Sequence, residues 1–156
     1  MSIPQPYSVT YRAHKYYFET DNLVTYSIEF TDGVRYFMNL PPHIPVFELN
    51  VSIINAVDII DKAYDARVEA TIVSILSAFF SDNKNSLIYI CDNLDNRQRG
   101  RRRKFDGWFK KSNTTAVEKY DVDFSFLDMQ ILASFMVHHE NPHKKLLIKM
   151  FYDIYK

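Results

Sequence analysis

Residues 86–111, SLIYICDNLDNRQRGRRRKFDGWFKK, constrain the fold of this chain more than any other stretch. Leu87-Ile88-Tyr89-Ile90 is a short unbroken apolar run, the pattern of a buried strand. It ends in Cys91-Asp92 and leads into the densest positive charge in the sequence. Between Asp95 and Lys111 stand eight basic residues, Arg97, Arg99, Arg101, Arg102, Arg103, Lys104, Lys110 and Lys111, against Asp95 and Asp106. The chain as a whole has 19 basic and 19 acidic residues, so this segment carries +6 and the remainder −6. A fold must bury the first half of the stretch and give the second half solvent, an external polyanion or the acidic body of its own domain.

The rest of the chain reads as one domain around that segment. Its 156 residues, 47% apolar and 15% aromatic, suffice for a substantial core and are too hydrophobic for a disordered protein. A single α+β domain over 1–156 is expected, with a mostly antiparallel sheet, two or three packed helices and the order β-β-β-β-α-β-α-β-β-α. Tyr16 and Phe18 precede a turn at Thr20-Asp21-Asn22, and Val24, Tyr26, Ile28 and Phe30 then alternate with polar residues at the period of a half-buried strand. Asp32-Gly33 predicts a hairpin, with residues 34–40 as the return strand and a three-strand meander as the result. Pro41, Pro42 and Pro45 break pairing before Phe47, Leu49, Val51 and Ile53 resume it.

Helical spacing takes over at residues 66–80, where Val68, Ile72, Ile75, Leu76 and Phe79 share a face and Asp65 is the expected N-cap. Beyond the basic helix, Tyr120, Val122, Phe124 and Phe126 alternate with Asp121, Asp123 and Ser125, a strand whose acidic face reads as solvated. Residues 131–137 are expected to return beside it. Asn141-Pro142 then predicts a helix start, with Leu146, Leu147, Met150, Phe151 and Ile154 as its stripe.

Within the basic helix, Phe105, Trp108 and Phe109 form an i, i+3, i+4 patch that docks its C-terminal half, with Trp108 expected in the core. Projecting that stripe backwards reaches Arg101 or Arg102, then Gln98 and Leu94. A guanidinium turned inward needs acceptors, and Asp92 and Asp95 are the nearest, with Arg101 bracing Asp92 and Asp95 capping the helix. Arg99, Arg102 and Lys104 are expected to face away. The functional counterpart is a loop after a strand feeding a helix amino end, where Asp92, Asp95, Arg97, Gln98, Arg101 and Arg103 form a ligand-binding set for a phosphate or carboxylate.

The strand end Tyr89-Ile90-Cys91-Asp92, then Asp95, Arg97-Gln98, Arg101, Arg103, Phe105 and Trp108-Phe109, together with Asn141-Pro142, resemble an uncharacterised family of small bacterial proteins classed as a domain of unknown function. The resemblance extends over nearly the whole chain. Asn96 stands where the family pattern has glycine and Gly100 where it has alanine, changes that concern helix initiation. The resemblance implies no activity.

Other signals are weaker. Cys91 reads as an inert buried thiol, since no positioned histidine accompanies it. His138, His139 and His143 invite a metal reading, yet neighbours on a strand point to opposite faces. No Walker loop, Cys-x-x-Cys or His-Glu-x-x-His is present, and the chain has only 3 glycines. No cofactor and no metal is expected. The single cysteine and an amino terminus without a signal pattern predict a reducing cytoplasm, and no apolar window is long enough to span a membrane. The expected function is a noncatalytic module holding an anionic ligand or an acidic protein, with nucleic acid disfavoured as a partner. The alternative is a small metal-dependent nuclease using Asp92 or Asp95, with Asp121 and Asp123 in reserve.

Overall fold

The computed structural model describes residues 4–55, 65–91, 98–111 and 116–154. In chain order its elements are β1 (Thr10–Arg12), β2 (Lys15–Glu19), β3 (Thr25–Asp32), β4 (Phe47–Ile53), α1 (Ala66–Phe79), β5 (Ser86–Cys91), α2 (Gln98–Lys111), β6 (Val117–Phe126), β7 (Met129–His138) and α3 (Lys144–Ile154), with a 3-10 turn at Val34–Tyr36. The α+β class and the order of strands and helices are those expected. Seven strands form one sheet in the order β1-β2-β3-β4-β5-β7-β6. Every neighbouring pair is antiparallel except β4 and β5, which run parallel through Phe47↔Leu87 and Glu48↔Ile88. A parallel pair needs a crossover connection, and α1 lies in it.

The hairpin read at Asp32-Gly33 does not form. Residues 34–40 make no strand, and β3 pairs instead with β4 from Tyr26↔Ile53 to Asp32↔Phe47. Two bonds divert the chain: locally the Val34 N–H donates to Asp32 Oδ1 at 2.9 Å, and at longer range the Gly33 N–H donates to the Val46 carbonyl at 2.8 Å. Gly33 is required here for space, since a Cβ would stand 3.0 Å from the Phe47 carbonyl carbon. Phe37 turns into the core while Met38 remains 82% exposed, so the apolar run between the glycine and the prolines plugs one sheet face as a loop. The element order survives because β1, a fully exposed strand, was hidden in the amino-terminal arm.

The sheet is covered on both sides. Along β5, Leu87, Tyr89 and Cys91 join the cluster built with Ile72, Ile75 and Leu76 of α1 and Phe105 of α2. Ile88 and Ile90 face the opposite cluster, with Phe37, Ile44, Phe135, and Leu147 and Phe151 of α3. That is why β5 reads as a continuous apolar run: Leu87 and Ile88 are both fully buried, on opposite faces. Asp65 caps α1 as expected, accepting from the Arg67 N–H at 2.9 Å, and also accepts from the Tyr7 hydroxyl at 2.7 Å. Before α3, Asn141 Oδ1 accepts from the His143 N–H at 2.8 Å, which leaves Pro142 in the preceding turn.

Candidate functional site

α2 lies on the α1 side of the sheet over β5, β7 and β6, and its docking is centred on Phe105. That ring is fully buried and stacks on Tyr89 with centroids 4.3 Å apart. Trp108 meets Phe105 edge-on at 6.3 Å and is half-buried, so the tryptophan flanks the core residue and is not itself the core residue.

Arg102, one of the two arginines on the backward-projected stripe and also one of the three expected to face away, turns its guanidinium inward. Three residues before Phe105, it falls about 60° from that ring around the helix, on the docked side. Its Nη2 donates to the Ala133 carbonyl at 3.0 Å, and its Nη1 is 3.8 Å from Asp121 Oδ1. Asp121 also accepts from Ser134 Oγ at 2.7 Å and from Lys119 Nζ at 2.6 and 2.7 Å. The Lys119 ammonium bridges onward to Asp106 Oδ1 of α2 at 2.7 Å. Burial disfavours ionisation of Asp121, but the hydrogen bonds from Lys119 and Ser134 and the charges of Lys119 and Arg102 outweigh it and hold the carboxyl below its ordinary range.

The acidic face of β6 is exposed at Asp121, Asp123 and Ser125, as expected, but part of it also faces α2. In register, Lys119, Asp121 and Asp123 stand opposite Met136, Ser134 and Leu132, residues of the α1–α2 side. That face lies on the side of the basic helix, and Lys119 and Asp121 are the residues that meet it. Asp123 is the outer one and accepts from Gln130 Nε2 at 3.1 Å.

Of the ligand set expected from sequence, Asp92, Asp95 and Arg97 lie outside the described residues, and with them the proposed Asp92–Arg101 brace and Asp95 cap. Gln98 and Arg101 fall on the first turn of α2. Arg103 is exposed on the helix, together with Lys104 and Lys110. Among the described residues none of these three cations has an ion-pair partner. Arg103 and Lys110 are seven residues apart and so lie nearly in line, with Lys104 about 100° around the helix from Arg103. Gly107 lies between the two, where a Cβ would come within 3.7 Å of Glu69 Oε1 on α1.

Lys119 was missed, although period two places it on one strand face with Asp121 and Asp123, a charge pattern that fits a basic neighbour. Cys91 is buried in the core, as expected. His138 and His139 do not diverge: β7 ends at His138, the chain turns, and the two rings stack at 4.8 Å. Their Nδ1 atoms are engaged, His138 accepting from the Glu140 N–H at 3.0 Å and His139 lying 2.9 Å from the Ala116 carbonyl oxygen. The described surface has depressions elsewhere, two of them well formed enough to place. One of about 150 Å³ is lined by Leu76, Phe80, Phe109, Val117, Met136 and His138; the other, of about 550 Å³, lies between β1, β2 and the start of α1, beside Arg12 and Arg67. The exposed cations of α2 line neither. No helix among the described residues is long and apolar enough to cross a membrane.

Residues 64–153, more than half of the chain, match the model of a protein family described as a family of unknown function (DUF6169). The match covers α1 through most of α3 and leaves out β1 to β4. No curated protein and no solved structure matches the chain.

Proposed function

We propose, for a chain that belongs to this family of unknown function and inherits no activity from it, that the protein is a noncatalytic interaction module presenting the outer face of α2 to an acidic partner. One observation carries the reading: Arg103, Lys104 and Lys110 are exposed without an acidic partner among the described residues, while the neighbouring Arg102 is consumed by the fold. An open helix face with spaced cations suits a partner surface of opposite charge better than a small anion, which needs converging donors in a concave site. The nuclease alternative has lost one carboxylate, because the oxygens of Asp121 already accept from Lys119 and Ser134. Cys91, the single cysteine of the chain and a buried one, suits the reducing cytoplasm of a bacterium, where we place the protein.

The test is fluorescence anisotropy with a labelled polyglutamate peptide and with short RNA and DNA, at low and moderate salt. The peptide is expected to bind, more weakly as salt rises, and to be lost in the variant Arg103→Gln/Lys104→Gln/Lys110→Gln. Absence of peptide binding at low salt, or equal binding by the triple variant, refutes the proposal. Tight nucleic-acid binding that disappears in the variant would replace the acidic protein with a polyphosphate as partner.

A further inference from the structure

Far from α2, two histidines meet across the α3 side of the sheet. His43, in the proline-rich segment ahead of β4, and His143, just ahead of α3, bring their ring centroids to 5.5 Å at an interplanar angle of 73°. Two imidazoles sharing one tetrahedral ion hold their ring centres about 5 Å apart, since each nitrogen lies about 2.0–2.1 Å from the metal and the ring centre about 1 Å beyond it. The observed centroid spacing is thus close to that of a shared ion.

Both rings stand on fixed backbone. The His143 N–H donates to Asn141 Oδ1 at 2.8 Å, and its carbonyl accepts from the N–H of Leu147, a fully buried residue of α3. His43 follows Pro41 and Pro42, whose rings fix φ, and precedes Ile44, which is 2% exposed and donates its N–H to the Pro41 carbonyl at 3.1 Å. Among the described residues, no ring nitrogen of His43 or His143 has a hydrogen-bond or ion-pair partner, in contrast to His138 and His139. The pair therefore has two oriented imidazoles with uncommitted lone pairs, one exposed and one half-buried.

We propose that His43 and His143 form a two-imidazole site for a divalent transition metal ion of borderline softness, Zn²⁺ being the simplest case. Imidazole selects such ions over Mg²⁺ and Ca²⁺, which take oxygen ligands. Among the described residues no group of three or more His, Cys, Asp and Glu could hold a metal, so water completes the coordination and the ion exchanges readily. Such a site tethers the loop ahead of β4 to the start of α3 in a metal-dependent way.

The experiment is titration of tag-free protein with ZnCl₂, followed by calorimetry and by histidine-selective NMR. The expected result is one Zn²⁺ per chain, with the His43 and His143 signals moving and those of His14, His138 and His139 unmoved, and no competition from Mg²⁺. Either His43→Gln or His143→Gln should weaken binding about 100-fold, the lower end of the gain from tethering two ligands. His138→Gln should leave it unchanged. Zn²⁺ affinity that is equal in the parent and both glutamine variants, or no shift of the two imidazole signals at saturating Zn²⁺, overturns the proposal.

Discussion

Replacing Lys119 by methionine removes the cation that joins α2 to β6 while keeping the length of its side chain. In the folded protein Lys119 Nζ lies 2.6 Å from Asp121 Oδ1 and 2.7 Å from Asp106 Oδ1, and its side chain is only 10% exposed. Breaking a fully buried ion pair by deleting one partner costs about 3–5 kcal/mol, because a charge is left uncompensated. Here the abandoned carboxylates are 37% and 42% exposed, so water recovers part of that cost, and about 2–3 kcal/mol is expected. Arg102→Met should cost less, about 1–2 kcal/mol, because Asp121 keeps Lys119 and Ser134 and the main loss is one charge-assisted bond to the Ala133 carbonyl. The assay is urea unfolding at neutral pH, with midpoints compared at unchanged slope. The ranking has a pH signature. Asp121 has a depressed folded-state pKa, so the stability it contributes is present above its unfolded value near 3.8 and is lost as pH falls through the lower folded value. The gap between parent and Lys119→Met should therefore narrow in acid below about pH 4. A Lys119→Met variant as stable as the parent at pH 7, or less damaged than Arg102→Met, would refute the network as described.

Two further predictions concern packing and backbone. Phe105→Ala should cost about 3–5 kcal/mol by chemical unfolding, and Trp108→Ala clearly less, since only the first ring is fully buried; the reverse order would mean that α2 docks through the indole. Leu127→Gly should raise the melting temperature, because Leu127 holds φ at 54° in the β6–β7 turn while 88% exposed, and relief of left-handed strain is worth about 1 kcal/mol. A lower melting temperature would show that the leucine side chain makes a stabilising contact at that turn.

What sequence made legible was whatever burial had written into periodicity. α1, β5, β7 and the stripe of α3 each pack an apolar face, and each was readable at its own spacing. β1 was not, because all three of its residues are exposed and nothing forces them to alternate. Residues 34–40 misled for the opposite reason: Phe37 is buried and the flanking turn chemistry is that of a hairpin, but a tertiary bond from Gly33 to Val46 and a local one from Val34 to Asp32 close the chain differently. The candidate site was legible as a basic helix with an inward guanidinium. That Arg102 turns inward follows from the helix rotation fixed by Phe105 against Tyr89 and not from the arginines themselves. The destination of the acidic strand face was invisible for a related reason, since period two says which residues share a face and says nothing of what covers it.

The two halves of the charge imbalance are thus partly each other's partners, and the sheet topology explains why. β6 is the last strand in the order and, at ten residues, a long edge, the kind of surface that invites pairing with another chain. Charges on such a strand discourage that pairing, and Lys119, Asp121 and Asp123 supply them. Placing a basic helix beside that edge then gives the charges partners on the α1–α2 side. Phe105 packs α2 against the core, whereas the Asp106–Lys119–Asp121–Arg102 chain of charges, with the Arg102 hydrogen bond to the Ala133 carbonyl, ties α2 to β6 and to the backbone of β7. Among the described residues the cations left over are Arg103, Lys104 and Lys110, which no β6 carboxylate pairs. Their exposure follows from the same rotation that buries Arg102, so a helix turned to neutralise Arg103 would have to withdraw Phe105 from the core.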